Sequence, residues 1–367
     1  MSKRAAQLAR PFEIPGTLCS VAALGSGHIH DTFLAEYEHR GKRTRFVHQR
    51  LNTRIFRDPA GLMQNVVRVT EHLRSALRAR GSAEVERRCL RVIHCADGRP
   101  FHVDAEEGVW RTTGYVERAH SVDSVDRPER AGEAARAFGA FAADLADLDP
   151  AEVLETLPGF HALEGRIAAL EEAARADPRG RAAGVGPELR QLRAARATVA
   201  RELDARSFAR APRRVVHNDC KINNVLFDDA SGEGICVIDL DTVMEGTLLC
   251  DFGDLVRSAA GPAPEDEPDL SRVRFDLALF RALARGYRAG VGSLLTPTER
   301  RLLAIAGPAL TLENAARFLT DHLRGDVYFR IHRPEHNLDR CRAQLRLLDH
   351  MLASLDAADR IVDEIPD

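Results

Sequence analysis

His217, Asp219, Lys221 and Asn224 fall within the stretch VVHNDCKINNVLFD, on the turn between two apolar runs of strand length, RRVV and VLFD. Fifteen residues after Asn224, Asp239 closes a third apolar run, GICVI. Phosphoryl transfer asks for a carboxylate that orients and deprotonates an attacking hydroxyl, and for oxygen ligands that hold Mg²⁺ on the phosphates. Asp219 and Asn224 stand five apart, the spacing at which an H-R-D-x-x-x-x-N loop places its base and a metal-binding asparagine. Asp239 then takes the second metal position. Lys221 offers a point charge to the transferring phosphoryl group. The chain has three lysines, Lys3, Lys42 and Lys221, against 49 arginines, so a lysine between base and metal ligand reads as a choice of the compact ammonium. His217 reads as structural, bonding the backbone of the loop.

A second motif overlaps the first. VIDLDTV has the strand-then-Asp-x-Asp form of haloacid-dehalogenase-like phosphatases, in which Asp239 would be a nucleophile on the first strand of a doubly wound sheet. More than half of the chain precedes Asp239, and the lysine which that chemistry takes from later in the chain is missing after Lys221.

The elements that must position these residues can be read from periodicity. LCSVAAL, DTFLAEY and RFVHQRL are apolar alternating runs, the last two joined through EHRGKRT with Gly41 in the turn, and predict an antiparallel meander. Leu62, Val66, Val69 and Leu73 recur at helical spacing after Asp58 and Pro59, with Gly81 as the stop. RCLRVIH and PFHVDAEEGVWRTTGYVER return to strand character, which closes a small lobe over residues 1–117. Residues 118–367 read as a larger, mainly helical lobe with a helical hairpin near 161–208 and short strands around the motif. GPAPEDEPD, at 261–269, reads as a mobile loop.

Composition frames this as an ordinary globular chain of 367 residues, long enough for two lobes. A net charge of -3 gives no general reason to expect nucleic acid or an anionic membrane as a partner. Charge is unevenly spread, +7 over residues 1–114 and -10 over the remainder, an asymmetry suited to an anionic nucleotide held by metal. Seven scattered cysteines with no C-x-x-C pair argue against a disulfide framework or a zinc site. The basic N-terminus lacks an apolar core and no later run is long enough to span a bilayer, so a cytoplasmic location is expected, with a monomer favoured.

VVHNDCKINNVLFD followed by CVIDLDTVMEGTLLCDFGD resembles the aminoglycoside phosphotransferase and choline kinase superfamily. GSGHIHDTF, VHQRLNTRIFRDPAGLMQNVVRVTEHLR, DFGDLVR and RFLTDHLRGDVYFRIHRPEHNLDRCRAQLRLL are similar to the N-acetylhexosamine 1-kinases within it. The resemblance implies an α+β, two-lobed protein-kinase-like fold with a small antiparallel-sheet N-lobe. It also implies transfer from ATP, with Mg²⁺, to the anomeric hydroxyl of N-acetylglucosamine or N-acetylgalactosamine. Asp219 would be the base, Asn224 and Asp239 the Mg²⁺ ligands, and His28, Arg317 and Tyr328 the sugar contacts. An aminoglycoside or other amino-alcohol kinase is the alternative acceptor class, and an inactive nucleotide-binding relative would need a broken version of the intact Asp219, Asn224 and Asp239 set.

On the nucleotide side GSGHIH keeps two glycines, Gly25 and Gly27, of the G-x-G-x-x-G loop. The third strand carries Arg50 where a protein kinase has lysine; Arg50 is the candidate for the α/β-phosphates, with Glu71 as its possible partner. Adenine would lie against GYVER, bonding the backbone of Val116 and Glu117.

Overall fold

The computed structural model describes residues 11–24, 29–104, 108–206 and 208–366 of the chain, which divides into two compact units between Ala119 and His120. In the first, strands β1 (Thr17–Ala23), β2 (Asp31–His39), β3 (Lys42–Arg50), β4 (His102–Asp104) and β5 (Gly108–Gly114) form an antiparallel sheet in the order β1-β2-β3-β5-β4. The β2–β3 ladder runs from Asp31 opposite Arg50 to His39 opposite Lys42. Its two-residue turn needs positive φ at both positions, which Arg40 (52°) and Gly41 (75°) adopt. Because strand side chains alternate, Ala35, Tyr37, Phe46 and Trp110 share a core with Phe12, Ile93 and Cys95.

Helix α1 (Pro59–Ala79) starts where the sequence places it. Asp58 caps it through Gly61 N–H at 2.9 Å, Pro59 occupies the first turn, and Leu62, Val66, Val69, Leu73 and Leu77 are buried. One turn, α2 (Val85–Arg88), follows. RCLRVIH does not form the full strand expected: it runs beside β5 for one bridge, Val92 to Thr113, with Ile93 N–H donating to Thr112 O and Gly114 N–H to Arg91 O, both at 2.9 Å, and Cys95, just after it, bridges to Phe12. The chain leaves this unit within β6 (Ala119–His120).

The second unit is mainly helical. Helix α3 (Pro128–Asp144) packs on α7 (Leu277–Val291) almost backbone to backbone. A Cβ on Gly286 would lie 2.1 Å from Gly132 O, and one on Gly290 2.2 Å from Arg136 O, so glycine is required at both crossings. Helices α4 (Leu163–Ala176) and α5 (Gly186–Ala205) form a hairpin whose Ile167, Leu170, Leu192 and Val199 share a core with α9 (Leu303–Arg324) and α10 (His336–Ala353). Helix α9 is buried on nearly every side, the mark of a helix at the centre of its unit. Also present are α6 (Leu248–Ala259), α8 (Pro297–Arg300) and α11 (Leu355–Asp363).

Two short antiparallel ribbons complete it: β7 (Arg214–Val216) with β10 (Met244–Gly246), and β8 (Val225–Asp228) with β9 (Gly234–Val237). Asp239 thus follows a ribbon strand, which removes the haloacid-dehalogenase reading with its first strand of a parallel sheet. Segment 261–269 is tied down rather than loose. Glu265 pairs with Arg257, while Asp266 meets Arg333 at 3.1 Å and His336 at 2.8 Å. No helix among the described residues is long and apolar enough to cross a membrane.

Candidate active site

Strand β7 delivers the chain to the loop that begins at His217. At Asn218 the backbone turns left-handed (φ 64°), a region asparagine tolerates because its amide can bond nearby carbonyls. Asn218 Nδ2 donates to the carbonyls of Val216, Thr242 and Met244 at 3.4, 3.1 and 3.3 Å. Gly246 makes the room, since a Cβ there would stand 2.4 Å from Asn218 Oδ1. From the first turn of α6, the buried Asp251 carboxylate accepts the amides of His217 (3.1 Å) and Asn218 (2.7 Å). Burial pulls this carboxyl upward, while the hydrogen bonds from the two amides act against it.

His217 has the structural role expected of it. Its ring stands edge-on to Phe138 and Phe141 of α3. Nδ1 accepts the Asp219 amide at 3.2 Å, so the proton sits on Nε2, which donates to Ile238 O at 3.0 Å. Ile238 N–H in turn donates to Asn224 O at 2.9 Å. One residue therefore ties the loop to the strand end that bears Asp239.

Asp219, Lys221 and Asn224 are brought together. Lys221 Nζ lies 3.1 Å from Asp219 Oδ1, and Asn224 Nδ2 donates to Asp219 O at 2.9 Å and to Oδ2 at 3.3 Å. Burial on its own would raise the Asp219 carboxyl, but the Lys221 charge and hydrogen bond outweigh it and hold the group down at about 2. Burial would likewise lower the Lys221 ammonium, and the Asp219 charge turns the balance upward. The two side chains keep 22% and 36% of their surface, so both remain within reach of a substrate. Asp239 is exposed, with φ 61°. Because Asn224 Nδ2 is committed to Asp219, Oδ1 is the atom left for a cation. That amide oxygen and the Asp239 carboxylate are both hard oxygen donors, the kind Mg²⁺ takes.

Arg317 and Tyr328, far from the loop in sequence, belong to one cluster. The Arg317 guanidinium stands 5.0 Å from the Phe160 ring, 5.5 Å from Phe329 and 5.9 Å from Tyr328, and donates to Asn314 Oδ1 at 3.1 Å. Asp321 presents Tyr328 by accepting the amides of Val327, Tyr328 and Phe329 at 2.9, 2.8 and 3.0 Å. Arg166 donates to Phe160 O at 2.8 Å, and burial, then the nearby Arg317 charge, depress its basicity. Next to Phe160, His161 bonds Asn218 O at 2.7 Å and Glu313 Oε1 at 3.1 Å, which joins the cluster to the Asp219 loop.

The residues expected to meet the nucleotide belong to the first unit. Arg50 donates through Nε to Asp31 Oδ2 at 2.9 Å, its opposite residue on the ladder, and the two form an ion pair; Glu71, its expected partner, is exposed on α1. Val116 is buried. Glu117 O accepts from Arg87 Nε at 3.1 Å and its carboxylate from Arg45 Nε at 3.0 Å. Gly25, Gly27 and His28 lie outside the described residues.

Sequence reasoning assigned no role to Asp251, His161 or Glu313. Asp251 stands in the block CDFGD, where an apolar helix start with two carboxylates was a usable signal. His161 and Glu313 are 152 residues apart and had none.

Residues 20–290 match the model of the phosphotransferase enzyme family, APH. The chain belongs to this family. The fold of the phosphotransferase is similar to that of an aminoglycoside phosphotransferase from Alicyclobacillus acidocaldarius, with TM-score 0.62, 14% identity, and coverage of 95% of this chain and 93% of that one. A microcompartment-associated aminopropanol kinase gives TM-score 0.61 at 17% identity, over 98% and 99% of the two chains. Spectinomycin phosphotransferase in complex with ADP and spectinomycin gives 0.57 at 10%, over 97% and 98%. The α+β class, an antiparallel sheet followed by a larger helical part, is thus the fold expected from the sequence.

Proposed function

We propose that this phosphotransferase moves the γ-phosphoryl group of ATP to the anomeric hydroxyl of an N-acetylhexosamine. The observation that carries the acceptor class is the cluster beside the Asp219 loop. Three rings, Phe160, Tyr328 and Phe329, gather about Arg317, with Arg166 close by and the Glu313 carboxylate already engaged by His161. Rings accept the apolar face of a pyranose, guanidinium groups donate to its oxygens, and two such cations repel a polyamine.

Asp219 orients the acceptor hydroxyl and takes its proton. A carboxylate of low basicity serves when the transition state is loose, because the hydroxyl loses its proton late. The bond from the acceptor oxygen to Pγ forms, the bond from Pγ to the ADP oxygen breaks, and Lys221 balances the charge on the moving group. Asn224 and Asp239 would hold Mg²⁺, which when bound neutralises phosphate charge. The nucleotide is assigned to Arg50, to the backbone of Val116 and Glu117, and to the Gly25 and Gly27 loop, with His28 as a further sugar contact.

A second reading, an amino-alcohol or aminoglycoside kinase, draws on the -10 charge balance of residues 115–367. Radiolabelled ATP with Mg²⁺ and a panel of N-acetylhexosamines, unmodified hexoses, kanamycin-type amines and aminopropanol separates the two. Transfer to N-acetylhexosamines, with ³¹P–¹H coupling to the anomeric proton, is expected. Transfer to amines alone would sink the sugar reading.

A further inference from the structure

We propose that His161 is a positioning residue that holds the phosphoryl-transfer loop as an imidazolium, bridging the Glu313 carboxylate and the backbone carbonyl of Asn218. It rests on Asp219 acting as the base. Both partners of the ring are acceptors: Nδ1 meets Glu313 Oε1 at 3.1 Å and Nε2 meets Asn218 O at 2.7 Å. A neutral imidazole has one N–H and can satisfy one of them; two N–H groups satisfy both. The side chains of His161 and Glu313 are 9% and 2% exposed, so water replaces neither bond readily.

The surroundings favour the charged pair. Glu313 reaches the ring from α9, and Asp254 of α6 adds a second negative charge. Burial acts against the imidazolium, yet the Glu313 charge carries its basicity above the ordinary histidine value. Arg166 from α4 and Arg317 from α9 lie on the Glu313 side, and the Cys250 thiol, pushed up to about 12 chiefly by burial, also feels Glu313. Phe160 closes the remaining face, edge to face at 4.7 Å. On the other side of the same peptide segment, Asp251 holds the Asn218 amide. The left-handed residue before Asp219 is therefore gripped at its N–H by Asp251 and at its carbonyl by His161. That carbonyl belongs to the peptide that leads into Asp219, so a rotation there re-aims the carboxylate.

The folded-state basicity is raised, so the grip is complete below the ordinary histidine value and is lost as pH rises through the raised His161 titration. Turnover with the best acceptor should decline on the alkaline side for this reason. In His161→Gln, kcat should fall roughly 10- to 100-fold, with KM for ATP unchanged and the alkaline decline gone. In Glu313→Gln the ring loses its counter-charge, and the decline should move to lower pH. Long-range ¹H–¹⁵N NMR of the resting full-length protein should show both His161 nitrogens protonated just below the ordinary histidine value and beyond it as pH rises. A neutral single tautomer in that spectrum overturns the proposal, as does a His161→Gln variant that keeps the wild-type alkaline limb. If His161→Gln does not fold, the NMR readout and the Glu313→Gln profile decide. Absence of turnover on every acceptor counts against the function alone, because the spectrum needs none.

Discussion

His48 in the first unit and His161 in the second both keep little exposed side-chain surface, and their partners favour opposite charge states. His48 lies between two hydroxyls, Tyr37 Oη at 2.9 Å from Nε2 and Thr112 Oγ1 at 2.7 Å from Nδ1. A hydroxyl can donate or accept, so the neutral ring satisfies both neighbours, and burial pushes its pKa down to about 4. His161 faces a carboxylate and a carbonyl, which can only accept. Burial is common to the two sites, and the partners' chemistry sets the sign. The same contrast separates the units at large: buried polarity in the first sheet is mutual and uncharged at this point, whereas around Asp219 it is ionic and directed at one loop.

Four substitutions would break or sharpen that contrast. Asp219→Asn should lower turnover roughly 10²- to 10⁴-fold while thermal stability and Mg·ATP binding hold, as checked by phosphate transfer and calorimetry. Wild-type turnover would show that the ionic cluster is structural. Asp251→Ala strands the amides of His217 and Asn218 without their acceptor and should cost about 3 kcal/mol, measured by urea unfolding, with activity lost alongside. Arg317→Met removes one cation from the ring cluster. Acceptor kcat/KM should drop about tenfold and the relative rate with amines should rise, both read from the same substrate panel.

The smallest effect is expected in the first unit. His48→Phe leaves the Tyr37 hydroxyl without its partner and should cost about 1–2 kcal/mol, with kcat unaltered. The folded protein keeps His48 neutral, while the unfolded chain takes up a proton first. Wild-type stability from this site is thus full above the ordinary value of 6.5 and declines as pH falls toward 4. Melts across that window should lose this slope in His48→Phe.

Much of the framework was legible because its causes are local. Asp58 and Pro59 begin α1, Gly41 permits the β2–β3 turn, and the apolar spacing of Leu62, Val66, Val69 and Leu73 marks the buried face. RCLRVIH misled in length because apolar alternation reports burial and does not report how far a ladder will run: its pairing with β5 stops after one bridge, Val92 to Thr113. Segment 261–269 misled for the converse reason: its Gly, Pro and acidic residues read as solvated, and the side chains that hold it, the Arg257 and Arg333 guanidiniums and the His336 ring, come from other elements. Arg50 follows the same pattern, since its carboxylate is Asp31 across the ladder.

The sequence by itself determined the chemical kit: a carboxylate, a lysine and an asparagine within six residues, and a second carboxylate on the next strand end. These are contiguous, and their relation depends on a turn and a ribbon that local residues specify. Tertiary structure alone decided what holds that kit in place and what faces it. Asp251, His161, Glu313, Phe160 and Arg317 converge from two helices, α6 and α9, and the segment before α4, through contacts between residues more than 150 positions apart. No periodicity records such distances, because the apolar faces that pack the helices fix where a buried polar residue arrives without constraining which residue it must be.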